Sequence, residues 1–425
     1  MNTDREVDLV IIGGGAAGMA AAVSAYEKGV RDILIIERND SLGGVLRQCI
    51  HNGFGLHRFG EDLTGVEFAQ RYIDRIEEYK IPYMLETFVI DLTADKVVTC
   101  VNPAEGLLKI RAKAIILAMG CRERTRNNIL IPGTRGAGIL TAGTAQRYLN
   151  LEGYLPGRSV VIVGSGDIGL IMARQFVLEG VQVKAVVEIM PYSGGLPRNM
   201  KQCIEDFDIP VYYQSSVTKI SGRERVRSVE VCRLNESRKP IRDTAFEIEC
   251  DTVMISAGLI PENELTEQAG IEMSRATKGA VVDECNMTSA PGIFSCGNVL
   301  HVHDLVDFVA EEAEETAAHA AQYIDGGMET TGTDTIPVVN GDGAGPVVPL
   351  RVHRDTQAEE IHLMFRPRNK YRDAVITVQS NGHVLARQKA VALTPGEMCR
   401  VPVEGARLKT ADGPLKVSIT GTINN

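Results

Sequence analysis

Two stretches of the chain carry the same succession of apolar run, glycine break and small-residue segment. Asp8-Leu-Val-Ile-Ile12 ends in glycines, a stretch of small residues leads to Lys28, and a second run, Ile33-Leu-Ile-Ile36, ends at Glu37. A short apolar run, a helix-length segment and another short run predict a strand, a helix and a parallel strand. Ser159-Val-Val-Ile-Val163 ends in Gly164-Ser165-Gly166, a helix-like stretch follows to Gly180, and Val183-Lys-Ala-Val-Val187 ends at Glu188. The spacing from first glycine to acidic residue is the same in both copies, 13 to 37 and 164 to 188, so the unit is repeated. Ala112 to Met119, ending at Gly120, and Thr252 to Ala257, ending at Gly258, read as later strands of the two halves.

From Thr330 the texture changes. Thr330-Thr-Gly-Thr-Asp-Thr-Ile-Pro337 and Asn340-Gly-Asp-Gly-Ala-Gly-Pro346 have linker composition. Beyond them only strands are expected: Pro349 to His353, Glu360 to Phe365, Ala374 to Gln379, His383 to Arg387, Met398 to Val403 and Leu415 to Ile419, with turns at Ser380-Asn-Gly382 and Asp412-Gly-Pro414. The expected fold class is α/β, with two Rossmann-like dinucleotide-binding domains plus a small C-terminal all-β domain, a sandwich or barrel. The bounds are 1–125 with 275–330 for a discontinuous first domain, 126–274 for the second, 331–346 for the linker and 347–425 for the β-domain.

Gly13-x-Gly15-x-x-Gly18, between a strand and a helix, supplies a tight turn, a close approach of backbone to pyrophosphate and a close helix–sheet contact; Glu37 accepts from ribose hydroxyls. Gly164-x-Gly166-x-x-Gly169 with Glu188 makes the same case, and a carboxylate there repels a 2′-phosphate, which favours NAD(H) over NADP(H). Lys184 and Arg198 are nearby basic side chains that would reverse that preference unless they are solvated surface charges. Leu42-Gly43-Gly44 follows the first unit as it does where a chain wraps an FAD pyrophosphate, a resemblance that implies FAD there. Late in the chain, Gly292-Ile-Phe-Ser-Cys-Gly297-Asn298 resembles the second FAD fingerprint of two-dinucleotide flavoproteins, with Asn298 where an aspartate is usual; Asn298 keeps the ribityl hydrogen bond but brings no charge. The expected FAD contacts are Gly13, Gly15, Ala16, Ala17, Gly18, Glu37, Arg38, Gly44, Val45, Val89, Ala118, Gly120, Gly297, Asn298, Val306 and Val309. Those for NAD are Gly164, Gly166, Asp167, Ile168, Gly169, Glu188, Ala257 and Gly258.

Asp304 to Tyr323 has helical composition, with Glu311, Glu312, Glu314 and Glu315 expected exposed and a first turn at Leu305 to Val309. In the flavoprotein arrangement such a helix points its N-terminus at the flavin, where the dipole favours the anionic reduced form. His301 and His303 precede that turn. They invite a metal reading, but no carboxylate or third histidine stands at ligand spacing, so a polar lining or plain loop residues is the alternative. Cys49 follows Gly43-Gly44 where disulfide reductases of this architecture carry a redox pair, yet the next cysteine is Cys100. A dithiol relay is therefore not expected; a single redox-active Cys49 and a packed thiol both stay open, and Cys121 and Cys296 read as packed.

Composition narrows the classes. Forty-five basic against fifty-five acidic residues give a net charge of −10 without charge blocks, which argues against a nucleic-acid binder. The nine cysteines stand at least eleven residues apart, so no zinc knuckle or iron–sulfur run is present, and dispersed thiols suit a reduced, cytoplasmic compartment. The apolar stretch from Val10 to Ala25 is broken by glycines and is not expected to span a membrane.

Across roughly residues 7 to 325 the chain resembles the two-dinucleotide flavoprotein disulfide reductase superfamily. Gly43-Gly-Val-Leu-Arg-Gln-Cys-Ile-His-Asn-Gly-Phe-Gly55, Ala118-Met-Gly-Cys-Arg-Glu-Arg124, Ile131-Pro-Gly-Thr-Arg-Gly-Ala-Gly138 with Thr141-Ala-Gly143, and Gly164-Ser-Gly-Asp-Ile-Gly169 are similar to the NADH-linked FAD subunit found with anaerobic glycerol-3-phosphate dehydrogenases. They are less closely similar to opine oxidase and hydrogen cyanide synthase flavoprotein subunits. The resemblance implies hydride transfer between NAD(H) and FAD, with the flavin as hydride centre and no catalytic acid or base. It also implies electron exchange with a second flavoprotein dehydrogenase subunit or an iron–sulfur protein, in an oligomer. Arg47, Arg122 and Arg124 lie in these words as anion-binding or surface residues. Two other functions remain open: a free-standing NADH oxidase or disulfide reductase using Cys49, and a non-catalytic flavin-binding assembly subunit.

Overall fold

A computed structural model describes residues 5–328 and 334–424. The chain divides into two compact units, one of residues 1–47, 52–121 and 261–425, the other of 48–51 and 122–260.

The first unit opens with β1 (Arg5–Ile12), α1 (Ala16–Glu27) and β2 (Ile33–Ile36), followed by α2 (Gly65–Tyr79) and β3 (Gly106–Leu117). β1 pairs in parallel with β2 on one side and β3 on the other, Ile12 standing opposite both Ile36 and Leu117. The three strands therefore end at one level, and the turn after β1 emerges at the carboxyl edge, where open α/β sheets receive their ligands. β2 is buried along its whole length, as a parallel strand covered on both faces must be. An antiparallel hairpin, Phe88–Leu92 and Val97–Asn102, extends the sheet beyond β3.

In the second unit β4 (Ser159–Val163), α3 (Asp167–Leu178), β5 (Gln182–Val187) and β6 (Thr252–Ile255) repeat this plan: Val163 stands opposite Val187 and Ile255, again in parallel. Ile139–Thr141 and Val211–Tyr212 complete a five-stranded parallel sheet. A separate antiparallel sheet runs through Ser215–Gly222, Val226–Arg233 and Phe246–Glu249.

The chain returns to the first unit with β7 (Ile293–Ser295), parallel to the end of β3, and α4 (Val306–Ile324). α1 and α4 contribute alanines to one core, Ala20, Ala21 and Ala25 with Ala310, Ala313 and Ala317 among them, and such small side chains allow helices to approach closely. After residue 334 the chain runs almost entirely in strands, including β8 (Glu360–Pro367) and β9 (Cys399–Glu404). They form a five-stranded and a three-stranded sheet around a core that includes Val352, Leu363, Phe365, Val378, Val401 and Val417.

Three expectations need correction. Of the linker expected at 331–346, residues 331–333 lie outside the described residues, but Thr335–Asn340 and Ala344–Val348 are strands. Their glycines and prolines are accommodated because Pro337 and Pro346 are exposed and Gly345 lies against the Arg366 carbonyl, too close for a side chain. The C-terminal segment is not strands alone, since Gly405–Leu408 forms one helical turn. Residues 261–274, assigned with the second nucleotide unit, cluster with the first, and so do the C-terminal strands.

One joint within the first unit is an ionic one. His353 donates from its backbone N–H to Glu284 at 2.9 Å, and its Nδ1 lies 3.2 Å from the same carboxylate, with Asp283 at 4.0 Å. The hydrogen bond to Glu284 raises the pKa of His353 above its ordinary 6.5, against the opposing effect of burial. A raised histidine pKa adds stability that is complete below 6.5 and is lost as pH climbs through the folded value. Thermal unfolding of the wild type and His353→Gln is thus expected to show the wild type's advantage at about pH 6 and a smaller one at about pH 8.5; a gap that widened with pH would contradict the pairing.

Candidate functional site

The turn after β1 is built around one buried carboxylate. Glu37, 5% exposed, accepts from the Gly14 N–H at 2.7 Å through one oxygen and from the Asn39 N–H and Nδ2 at 2.8 Å through the other. The Gly13 N–H donates to the Ile36 carbonyl at 2.8 Å. Gly13 has φ of +108° and its α-carbon faces the Ala118 carbonyl, where a Cβ would come to 2.5 Å; a Cβ on Gly18 would come to 1.7 Å from the Gly13 carbonyl. These positions exclude any side chain, so α1 starts directly over the strand end. Ala16 and Ala17 form its first turn, and its N-cap Gly15 makes no side-chain cap, leaving first-turn N–H groups open.

Gly44 and Gly297 close in on this turn. The Gly43 N–H donates to the Gly14 carbonyl at 2.8 Å, a Cβ on Gly44 would lie 3.0 Å from the Gly15 α-carbon, and one on Gly297 would lie 2.9 Å from the Ala17 side chain and 3.3 Å from Val309. Gly120 accepts from the Glu262 N–H at 3.0 Å, and Glu262 lies 3.8 Å from the half-exposed Arg38. Val45 is exposed, and Val306 opens α4. Val89 packs into a cluster with Val10, Leu34 and Cys100 that also holds the strand-end residues Ile12, Ile36 and Leu117, and the N–H that donates to the Glu37 carbonyl is that of Thr87.

The second unit reproduces the clamp. Glu188, 7% exposed, accepts from the Ser165 N–H and hydroxyl at 2.8 and 2.7 Å and, through its other oxygen, from the Met190 N–H at 2.8 Å; the Gly164 N–H donates to the Val187 carbonyl. A Cβ on Gly164 would come to 2.1 Å from the Ser256 carbonyl, whereas Gly166 and Gly258 face open space. Ala257, just before Gly258, packs beside the unit's apolar core. Gly169 would place a Cβ 3.0 Å from the Gly164 carbonyl. The Asp167 carboxylate is engaged by the Leu196 N–H and Asn199 Nδ2 at 2.8 and 2.6 Å, so it ties down the loop before Pro197–Cys203, and Ile168 is part exposed. Lys184 lies part-buried on β5, and Arg198 is exposed. α3 also starts without a side-chain cap, at Gly166, whereas α2 carries a full capping box from Thr64 and Glu67.

The start of α4 departs most from expectation. Glu312, expected at the surface, is 4% exposed, and Glu311 and Glu314 are part-buried in ion pairs, leaving Glu315 as the exposed member. Glu312, on the second turn of α4, faces inward. It accepts from the Gly297 N–H at 2.6 Å and meets His301 Nε2 at 2.6 Å and His303 Nε2 at 3.3 Å. It is the carboxylate that sequence spacing did not supply to the histidine pair. Burial would raise its pKa, but the two imidazoles outweigh that and hold it well below the ordinary carboxylate range; burial lowers the pKa of His301. A contact of 2.6 Å is a hydrogen bond, whereas ligand atoms each about 2.0–2.1 Å from one tetrahedral ion stand over 3 Å apart. Asn298 uses its Oδ1 to accept from the His303 N–H at 2.9 Å. Asp307, which the sequence did not single out, is 3% exposed and gathers the N–H groups of Gly55, His57 and Arg58 at 2.9–3.0 Å.

A family model described as pyridine nucleotide-disulphide oxidoreductase matches residues 7–323. The chain belongs to that family. Pyridine nucleotide-disulphide oxidoreductases of this kind are FAD-containing, NAD(P)-dependent enzymes, and FAD and NAD(P)H are the cofactors. The chain is 27% identical over 317 residues to hydrogen cyanide synthase subunit HcnB of Pseudomonas aeruginosa, covering 68% of this chain and 66% of that one. It is 27% identical over 312 residues to an opine oxidase subunit of Agrobacterium tumefaciens, covering 68% and 61%. The match thus spans just under two thirds of these relatives. In fold it is similar to thioredoxin reductase of T. acidophilum, with a TM-score of 0.61 over 76% of this chain and 99% of that one, at 24% identity. Among the described residues no helix is long and apolar enough to cross a membrane.

The residues present fit two dinucleotides. Each glycine turn puts bare backbone and uncapped helix N–H groups at a strand end, a surface that accepts a pyrophosphate and that a Cβ would spoil. Of the arginines, Arg47 pairs with Asp40 at 2.8 Å, and Arg122 and Arg124 are exposed. All nine cysteines are thiols. Cys49 is 5% exposed, its Sγ lies 3.9 Å from Gln146 Oε1, and burial pushes its pKa up to about 12. Cys296 is pushed up in the same way, and Cys121 is part-buried. A thiol so protonated is a poor nucleophile. Iodoacetamide at about pH 8 is therefore expected to leave Cys49 unmodified in the folded protein and to alkylate it after denaturation, as read by peptide mass spectrometry; rapid native labelling would mark it as reactive.

Proposed function

We propose that the chain is an FAD-dependent NADH oxidoreductase subunit, moving hydride between NAD(H) and FAD and exchanging electrons with a partner flavoprotein or iron–sulfur subunit of a glycerol-3-phosphate dehydrogenase-like complex. The observation that carries this reading is the duplicated clamp: two glycine turns, each closed by a buried glutamate 23 residues on from the N–H it holds. When bound, FAD supplies the two-electron centre and the nicotinamide its hydride partner. The chain's own work is then to bind and orient. Gly13, Gly18 and Gly44 let the backbone of the turn close on its neighbours, Gly15 keeps the helix start bare for the FAD pyrophosphate, Glu37 orders the turn that receives it, and the uncapped N-terminus of α4 offers positive potential to an electron-rich ring. Gly164, Gly166, Gly169 and Glu188 do the same for the nicotinamide dinucleotide, and the buried Glu188 carboxylate supports NADH over NADPH by repelling a 2′-phosphate.

Relatives that are themselves subunits of larger enzymes support a partner, and the C-terminal strands are the segment we assign to docking it. Nine thiols without a disulfide support a reduced compartment such as the cytoplasm. The buried, protonated Cys49 weighs against a disulfide reductase, and the second intact nucleotide turn weighs against a scaffold that never meets NADH.

Anaerobic addition of NADH to the purified yellow protein is expected to bleach the flavin band, NADPH to do so less well, and dioxygen to restore the band slowly. Absence of bleaching by either nucleotide would end the proposal, and fast reoxidation would favour a self-contained oxidase. Glu188→Gln is expected to raise the KM for NADH by about tenfold, the scale of one weakened charge-assisted hydrogen bond, while flavin content stays at the wild-type level. An unchanged KM would mean that this turn does not hold the nicotinamide dinucleotide.

A further inference from the structure

The loop that leads into α4 alternates in the directions it faces. His301 and His303 turn inward to Glu312, at 2.6 and 3.3 Å, while the residues between and after them, Val302 and Asp304, are held by the C-terminal strands. Arg366 on β8 donates to the Val302 carbonyl at 3.2 Å and pairs with the Asp304 carboxylate, and its other terminal nitrogen donates to the Gly396 carbonyl at 2.6 Å. The second oxygen of Asp304 accepts from the Met398 N–H at 2.6 Å. One strand over, Arg400 on β9 pairs with Glu311 at 2.7 Å and Glu315 at 3.1 Å, on the second and third turns of α4. Along the chain the ion pairs thus flank the uncapped start of that helix, one at Asp304 before it and two at Glu311 and Glu315 within it.

We propose that the Asp304–Arg366 pair, supported by Arg400 on Glu311 and Glu315, makes the C-terminal strands part of the flavin site by fixing where the N-terminus of α4 points. Asp304 and Arg366 are positioning residues: they act on the flavin through the 301–305 loop and the helix it starts. This rests on the assignment of FAD to the turn after β1. The physical reason is that a helix terminus acts as a partial charge whose effect falls off within the first turn, so a small displacement changes its interaction with a reduced, electron-rich ring more than it changes the fold. Asp304 lies two residues before the helix, too far from β1 to be recognised as flavin-side by any glycine motif, and Arg366 is over forty residues beyond the helix's end.

The test is a spectroelectrochemical titration of the full chain with bound FAD, together with the FAD dissociation constant, for wild type, Arg366→Ala, Arg366→Lys and Asp304→Asn. Arg366→Ala and Asp304→Asn are expected to shift the flavin midpoint to more negative potential and to weaken FAD binding by about tenfold, the scale of a partly buried helix-terminus interaction. Arg366→Lys is expected to recover part of the potential. Near-isosteric Asp304→Asn carries the test should Arg366→Ala not fold. Folded variants that bind FAD with wild-type potential and affinity would overturn the proposal. A wild-type chain that binds no FAD would instead overturn the assignment on which it rests.

Discussion

Burying a carboxylate in a protein is costly unless its oxygens are satisfied, and in this chain that constraint organises both nucleotide turns. Glu37 and Glu188 each sit at the end of a buried parallel strand, where an unpaired charge would not be tolerated. Each is satisfied by backbone N–H groups of the glycine turn across from it and of the chain just after it. The carboxylate thereby defines the turn, and the turn in turn defines where α1 and α3 begin. Removing side chains at Gly13 and Gly164 is what lets the backbone come close enough, since a Cβ at either would strike the carbonyl just past the end of β3 or β6. A site for an anion is assembled with two acidic residues at its heart because their charge is spent on the protein's own N–H groups.

The same logic recurs at α4 with different partners. Glu312 is held by one backbone N–H and the His301 imidazole, with His303 Nε2 at 3.3 Å, and Asp307 by three backbone N–H groups of the 55–58 loop. Neither is a surface charge. Together they hold the chain before and around the helix start while leaving the start itself uncapped. An open helix terminus beside these buried carboxylates is available to a ligand, and the C-terminal strands reach the same loop from outside through Asp304.

Much of this is legible from spacing. The repeat of apolar run, glycines and acidic residue locates both turns, because strand, tight turn and helix each impose a local pattern that no distant contact is needed to read. The start of α4 is legible for the same reason. Spacing misleads where a residue's role depends on the far side of the fold. Glu312 looks like one of four equivalent surface acids, and nothing within its own helix distinguishes it from Glu315. Thr335–Asn340 and Ala344–Val348 look like a linker because their glycines and prolines are common in loops, and only the neighbouring strands show that those positions fall at exposed or close-packed sites.

The amino-acid sequence by itself determined the two parallel nucleotide-binding units, the residues of their turns and the absence of a cysteine pair, since each is a matter of periodicity or short spacing. Tertiary structure alone decided that Cys49 is buried as a thiol, that the histidine pair meets a carboxylate from the next helix, and that the C-terminal strands grip the loop before α4. Those outcomes are set by which distant surfaces exclude water and bring charges together, and burial and long-range pairing leave no period in a chain.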